Sequence, residues 1–133
     1  MNNNRSMPPS VVVPELPYPD VREAANWLCR WFGLTERLRI GTHRAQLTLG
    51  TGAVVVTQGT ASSAACAVIV RVDDLANHYA HAAQAGVRII NPPTDYPYGE
   101  RQYTVEDLGG HRWTFSQTIA DVDPTAWGGD LLE

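Results

Sequence analysis

The chain predicts an α+β protein built from two tandem βαβββ modules. Three observations carry this. Two helical stretches, one in each half, run from an acidic cap to a stopping glycine. Each is preceded by one strand-like run and followed by three. The two halves also end alike, "VVVTQ" against "RWTFSQ", which aligns Gln58 with Gln117. A repeated βαβββ order argues for helices lying on one face of a mostly antiparallel sheet.

The elements follow in order. Residues 1–10, "MNNNRSMPPS", have no apolar core after their single Arg, so they read as a flexible polar tail and not as a secretory signal. The first module spans 11–60 and opens on the β-branched run "VVVPEL". In "DVREAANWLCRWFG", Asp20 is placed to cap a helix and Glu23 to complete a capping box. Ala24, Trp27, Leu28, Trp31 and Phe32 recur at helical spacing, and Gly33 ends the helix. "ERLRI", "RAQLTL" and "AVVVTQ" read as strands, the last two joined by a "GTG" hairpin.

The second module spans 61–117. "ACAVIVRV" is a strand. "DDLANHYAHAAQAG" is a helix, with Asp73 as cap, Gly86 as stop, and Leu75, Tyr79, Ala82 and Ala83 inward. "VRII" is a strand, "NPPTDYPYG" a Pro-rich loop, and "RQYTVED" and "HRWTFSQ" are strands around "LGG". Residues 118–133 form a C-terminal tail carrying Trp127. Trp27, Trp31 and Trp113 are expected in the core.

Composition narrows the function. With 133 residues, 44% of them hydrophobic, the chain fits one domain or two small modules sharing a core. Its net charge of −4 and the lack of any Lys/Arg-rich run give no footprint for nucleic acid. Apolar runs such as "AACAVIV" are too short to span a bilayer. Cys29 and Cys66 have apolar neighbours and no CxxC spacing, which predicts buried, reduced thiols and a cytoplasmic protein.

Strand alternation sorts the polar residues. In the last hairpin, Tyr103, Val105, Trp113 and Phe115 share a dry face, leaving Glu100, Gln102, Thr104, Arg112, Thr114 and Ser116 on the other. In the first module, Leu47, Leu49, Val54 and Val56 face the helix, and Arg44, Gln46, Thr48, Val55 and Thr57 face away. The mixed faces are either solvated, as in many antiparallel sheets, or lined for a ligand.

The stretches "DVREAANWLCRWFGLTERLRI", "AQLTLGTGAVVV", "VRVDDLANHYAHAAQAGVRIINPP" and "PYGERQYTVEDLGGHRWTFSQ" resemble the vicinal oxygen chelate superfamily. That group includes glyoxalase I, bleomycin-resistance proteins, fosfomycin-resistance enzymes and extradiol dioxygenases. The resemblance implies paired βαβββ modules whose sheets curl around a cleft, and a homodimer. Its metal enzymes place His, Glu or Gln at one position in each of four strands. By this resemblance the matching positions are Val13, Gln46, Ala67 (Cys66 if the Asp73/Asp74 register slips by one) and Thr114. Val and Ala offer no donor atom and Thr a poor one, so no cofactor is expected.

Other residues carry chemistry of their own. His43, before "RAQLTL", and Glu100 are the candidates for a base. Arg112 has a fork of donors suited to a carboxylate or phosphate, and Glu100 is read as its neighbour, in an ion pair or a substrate clamp. His78 and His81, three apart, read as solvated helix histidines, with a shared metal as the alternative. His111 reads as a turn residue. Tyr96 and Tyr98 lie in a loop that could lid the cleft and stack on a planar ligand. The expected ligand-binding set is therefore Arg44, Gln46, Tyr98, Glu100, Gln102, Thr104, Arg112 and Thr114. The expected function is capture of a small organic molecule in a dimer cleft without a catalytic metal. The alternative is a lyase or dioxygenase-type enzyme, using a divalent metal or acid–base residues.

Overall fold

The structure is a computed structural model that describes residues 4–60 and 67–129. Contacts divide it into two compact units, residues 4–60 with 108–110, and residues 67–107 with 111–129. Each unit holds one helix on one four-stranded sheet.

In the first unit the elements are β1 (Glu15–Tyr18), α1 (Val21–Phe32), β2 (Thr35–Ile40), β3 (Arg44–Leu49) and β4 (Gly52–Gln58). The sheet order is β1-β4-β3-β2, with β1 parallel to β4 and the rest antiparallel. Asp20 caps α1 by accepting from the Glu23 amide at 3.0 Å, and Gly33 ends it in the left-handed conformation. Val21, Ala24, Ala25, Leu28 and Phe32 are its buried residues, above Ala45, Leu47, Val54 and Val56. Trp27 and Trp31 are only half-buried: Trp27 rests edge-on against Phe32, and Arg30 lies over Trp31. The buried stripe runs through 21, 24, 25, 28 and 32, so these two tryptophans fall on its flanks. The run "VVVPEL" also shortens. Val11 and Val12 are exposed, and pairing starts only after Pro14, which has no N–H to give a ladder.

The second unit holds β5 (Ala67–Arg71), α2 (Leu75–Gln84), β6 (Arg88–Asp95), β7 (Glu100–Glu106) and β8 (Arg112–Thr118), in the order β5-β8-β7-β6, again with one parallel pair, β5 with β8. Tyr103 pairs with Phe115 and Val105 with Trp113, all four buried, as alternation predicts. The helix cap is Asp74, not Asp73: the Asp74 carboxylate accepts from the Asn77 amide at 3.1 Å. Leu75 and Ala82 face the sheet, whereas Ala83 is exposed. His78 takes the inward place instead, bonded to the Tyr103 hydroxyl and packed on Phe115. His78 is therefore an inner-face histidine, and burial, then the charge of His81, holds its pKa below the ordinary value, while His81 is the exposed one.

β6 runs on through "NPPTD", which alternation alone leaves as loop. An irregularity of register between Asn91 and Thr94 absorbs Pro92 and Pro93, tolerable because β6 is an edge strand whose outer N–H row pairs with no strand among the described residues. A 3-10 turn, η1 (Pro124–Trp127), closes the described C-terminal segment.

Candidate functional site

The second unit's sheet carries its polar residues on the face away from α2. β8 presents Arg112, Thr114, Ser116 and Thr118, and β7 presents Glu106, Thr104, Gln102 and Glu100 directly across. β5 adds Ala67, Ile69 and Arg71 beside Arg112, Thr114 and Ser116.

At one end these side chains form a directed chain of hydrogen bonds. The Tyr98 hydroxyl donates to Gln102 Oε1 at 3.3 Å, and Gln102 Nε2 donates to Ser116 Oγ at 3.0 Å. Ser116 Oγ donates to Glu100 Oε1 at 2.7 Å, and the Thr118 hydroxyl also bonds Glu100. Arg71 Nη2 donates to Thr118 Oγ1 at 2.8 Å. Donors thus converge on the Glu100 carboxylate. The Thr118 bond first, with Ser116 and the Arg71 charge, holds its pKa below the ordinary value against the opposing effect of burial. A carboxylate stabilised this way is a fixed negative anchor and a weak base.

Either end of the chain opens on a distinct surface. Past Arg71, a cleft of about 410 Å³ is lined by Arg71, Val72, Asp73, Gln117 and Thr118. Past Tyr98 lies an aromatic group: Tyr96 and Tyr98 stack at 5.4 Å and 11°, and Trp127 tilts onto Tyr98 at 5.3 Å. The loop expected as a lid is a tight turn. Gly99 donates to the Tyr96 carbonyl, Tyr96 to the Glu100 carbonyl, and the amides of Ile119 and Ala120 both reach the Gly99 carbonyl.

The middle of the face holds Thr104 bonded to Thr114 at 2.9 Å, beside an exposed Ile69. At the far end stand Arg112 and Glu106, the latter paired with Arg88 at 2.9 Å. Glu100 and Arg112 are therefore not neighbours. Glu100 lies opposite Thr118 and Arg112 opposite Glu106, at opposite ends of the hairpin, because antiparallel pairing sends the start of β7 to the end of β8. Among the described residues Arg112 Nε is buried with no hydrogen-bond partner. An unpaired buried donor is costly.

The first unit places its candidates differently. Arg44 pairs with Glu15 at 3.1 Å on an open part of the sheet. His43 is exposed in the β2–β3 turn, where its amide donates to the Ile40 carbonyl. Gln46 is 3% exposed, with both ends of its amide engaged. It accepts from Arg37 Nη1 at 2.6 Å, and it donates to the Ser6 carbonyl at 2.8 Å. Arg71, Thr118 and Arg37 lie outside the set expected from sequence. Alternation along β5 reaches Arg71 once Ala67 and Ile69 are given the open face, but no periodicity marks Arg37, which sits at a bulge.

The positions that bind metal in the superfamily's metal enzymes can now be tested. With Asp74 as cap, the third of them is Ala67; the alternative, Cys66, lies outside the described residues. Val13 and Ala67 have no donor atom, Gln46 is already engaged, and the Thr114 hydroxyl is bonded to Thr104. Among the described residues no group of three or more His, Cys, Asp or Glu stands together. The side chains at these positions do not fit a resident divalent ion. No helix among the described residues is long and apolar enough to cross a membrane.

Comparison with known proteins agrees with this architecture. TioX from Micromonospora sp. ML1 is 39% identical, over 83% of this chain and 99% of its own, with a TM-score of 0.71. TnmS3, an antibiotic binding protein from Streptomyces sp. CB03234, shares the fold at 21% identity, over 84% of this chain and 98% of its own, with a TM-score of 0.70. A lactoylglutathione lyase from Agrobacterium tumefaciens does so at 13%, over 83% and 94%, with a TM-score of 0.67. No curated protein matches the chain. Residues 10–115 match the family model that describes these folds, and the chain belongs to the Glyoxalase/Bleomycin resistance protein/Dioxygenase superfamily.

Proposed function

We propose that this protein binds a small organic molecule on the polar face of its second unit and does so without a catalytic metal. The observation that carries the reading is the donor set. Two of the four positions that hold metal in the superfamily's enzymes are Val13 and Ala67, and the other two spend their polar atoms within the chain. What the face offers instead is binding chemistry. It has a fixed carboxylate at Glu100, the guanidinium of Arg112, an exposed apolar side chain at Ile69, and an aromatic group at Tyr96, Tyr98 and Trp127. A planar molecule carrying an acceptor suits that arrangement. TnmS3, an antibiotic binding protein, shares the fold, which is consistent with capture as the activity. We place the protein in solution as a homodimer, because each sheet leaves β1 or β5 at an open edge.

The test has two arms. Elemental analysis after mild dialysis is expected to find well under one equivalent of Zn, Ni, Mn or Fe per chain; one equivalent would overturn the metal-free reading. A thermal-shift screen of planar aromatic carboxylates and amides is expected to give hits that Arg112→Ala weakens by about 1–3 kcal/mol while leaving the fold intact. Hits indifferent to both Arg112→Ala and Glu100→Gln would overturn the assignment of the face.

A further inference from the structure

A second site is built into the first unit, on the face of its sheet away from α1. Ala45 and Leu47 point under the helix, so Gln46 between them points the other way. There it meets the chain's own N-terminal segment. Gln46 Nε2 donates to the Ser6 carbonyl at 2.8 Å, and Arg37 Nη2 donates to the Arg5 carbonyl at 2.8 Å. Two consecutive peptide carbonyls are read by two side-chain donors. Those donors are mutually fixed, because Arg37 Nη1 also donates to Gln46 Oε1 at 2.6 Å and so turns the amide nitrogen outward. The segment is held in register by an Asn4 side chain accepting from the Ser6 amide, by a buried Pro8, and by Ser10 donating to the Thr51 carbonyl at 2.7 Å.

The strand ladder needs neither donor. With residues 4–10 in place Gln46 is only 3% exposed; withdrawal of the segment uncovers Nε2, where a ligand carbonyl would then replace water or the Ser6 carbonyl. The corresponding place in the second unit presents no such outward donor. Thr104 stands opposite Thr114 as Gln46 stands opposite Val55, and the two threonines satisfy each other.

We infer that Arg37 and Gln46 form a recognition site for paired amide carbonyls, as in a peptide or peptide-like ligand, and that residues 4–10 are its tethered occupant. This is separate from the site proposed above, which lies in the other unit. A tether supplies its end at an effective concentration of order millimolar, so an incoming ligand binds against that competitor. Pro8→Asp places a charge at a buried point of the segment and releases it without touching either donor.

The probe is a fluorescein-labelled, amidated peptide of the sequence Asn4–Ser10, titrated into the full chain. Pro8→Asp is expected to bind it at least tenfold more tightly than the unaltered protein, and adding Gln46→Leu is expected to abolish binding. Trypsin provides a second readout: cleavage after Arg5 is expected to be slow in the unaltered protein and at least tenfold faster in Pro8→Asp or, without the added charge, in Pro8→Gly. Equal or absent binding in both proteins, binding that survives Gln46→Leu, or cleavage after Arg5 as fast as in the free peptide would overturn the inference.

Discussion

Replacing Trp113 with Ala tests which face of the last hairpin is dry. Trp113 is 1% exposed, lies opposite Val105, and donates from Nε1 to Asp107 Oδ2 at 2.9 Å. Two losses add. Emptying a packed tryptophan site costs about 3–5 kcal/mol. Removing the donor from Asp107, itself buried, adds about 1–3 kcal/mol. The sum, roughly 4–8 kcal/mol, rivals the whole stability of a small protein. With a urea slope of about 1–3 kcal/mol/M, the midpoint should fall by more than about 1 M, or the chain should fail to fold. Trp113→Phe keeps most of the ring and drops the donor, so it should lose about 2–3 kcal/mol and still fold. Urea unfolding followed by far-UV circular dichroism is the assay, with Arg112→Ala as the companion from the opposite face. A loss below about 1 kcal/mol for Trp113→Ala, or a larger loss for Arg112→Ala, would refute the register.

Other outcomes follow from local geometry. Glu36 takes a two-pronged bond from Arg22 and a second two-pronged bond from Arg39, which lower its pKa from 4.5 to about 2. Its stabilising effect is therefore full above about pH 4.5 and fades as the pH falls toward 2. Glu36→Gln should cost roughly 1–3 kcal/mol at pH 7, and the gap in Tm from the unaltered protein should narrow at pH 2.5. Gly99 has φ +84° and sits against the Ala120 carbonyl oxygen, so Gly99→Ala should cost roughly 1–3 kcal/mol in the same urea assay. Light scattering at micromolar concentration should give about 29 kDa, twice the chain's 14.6 kDa; a mass near 14.6 kDa would count against the dimer.

The parts of the fold legible in the sequence are those written in periodicity and caps. Asp20, Gly33 and Gly86 mark helix ends, and alternation sorts Tyr103, Val105, Trp113 and Phe115 from Gln102, Thr104 and Thr114. Less legible were features that depend on partners distant in sequence. Asp73 and Asp74 are equivalent as caps until the helix is placed on its sheet. His78 looks solvated until Tyr103 and Phe115 are found beneath it. Pro92 and Pro93 suggest a loop because nothing local says that β6 is an edge. For the site, alternation supplied the face but not the order along it. Glu100 and Arg112 belong to one face and opposite ends, a distinction that only register draws. The engagement of Gln46 was illegible for the same reason: its partners, Ser6 and Arg37, come from a bulge and from a segment with no pattern.

The single parallel pair in each sheet has a consequence for how the chain assembles. β1 meets only β4, with Glu15 beside Val55, and β5 meets only β8, with Ala67 beside Arg112. Each unit's first-made strand must therefore wait until its last has been synthesised, whereas the β3–β4 and β7–β8 hairpins close across a few residues. Closing the long loop carries an entropy penalty that the hairpins avoid, so the hairpin with its helix should form the nucleus and the parallel strand should zip on afterwards. Trimming Leu16 or Val70 by a methyl group should then speed unfolding and leave the refolding rate nearly unchanged, while trimming Val105 should slow refolding. Each module in this arrangement is finished by the strand that left the ribosome first.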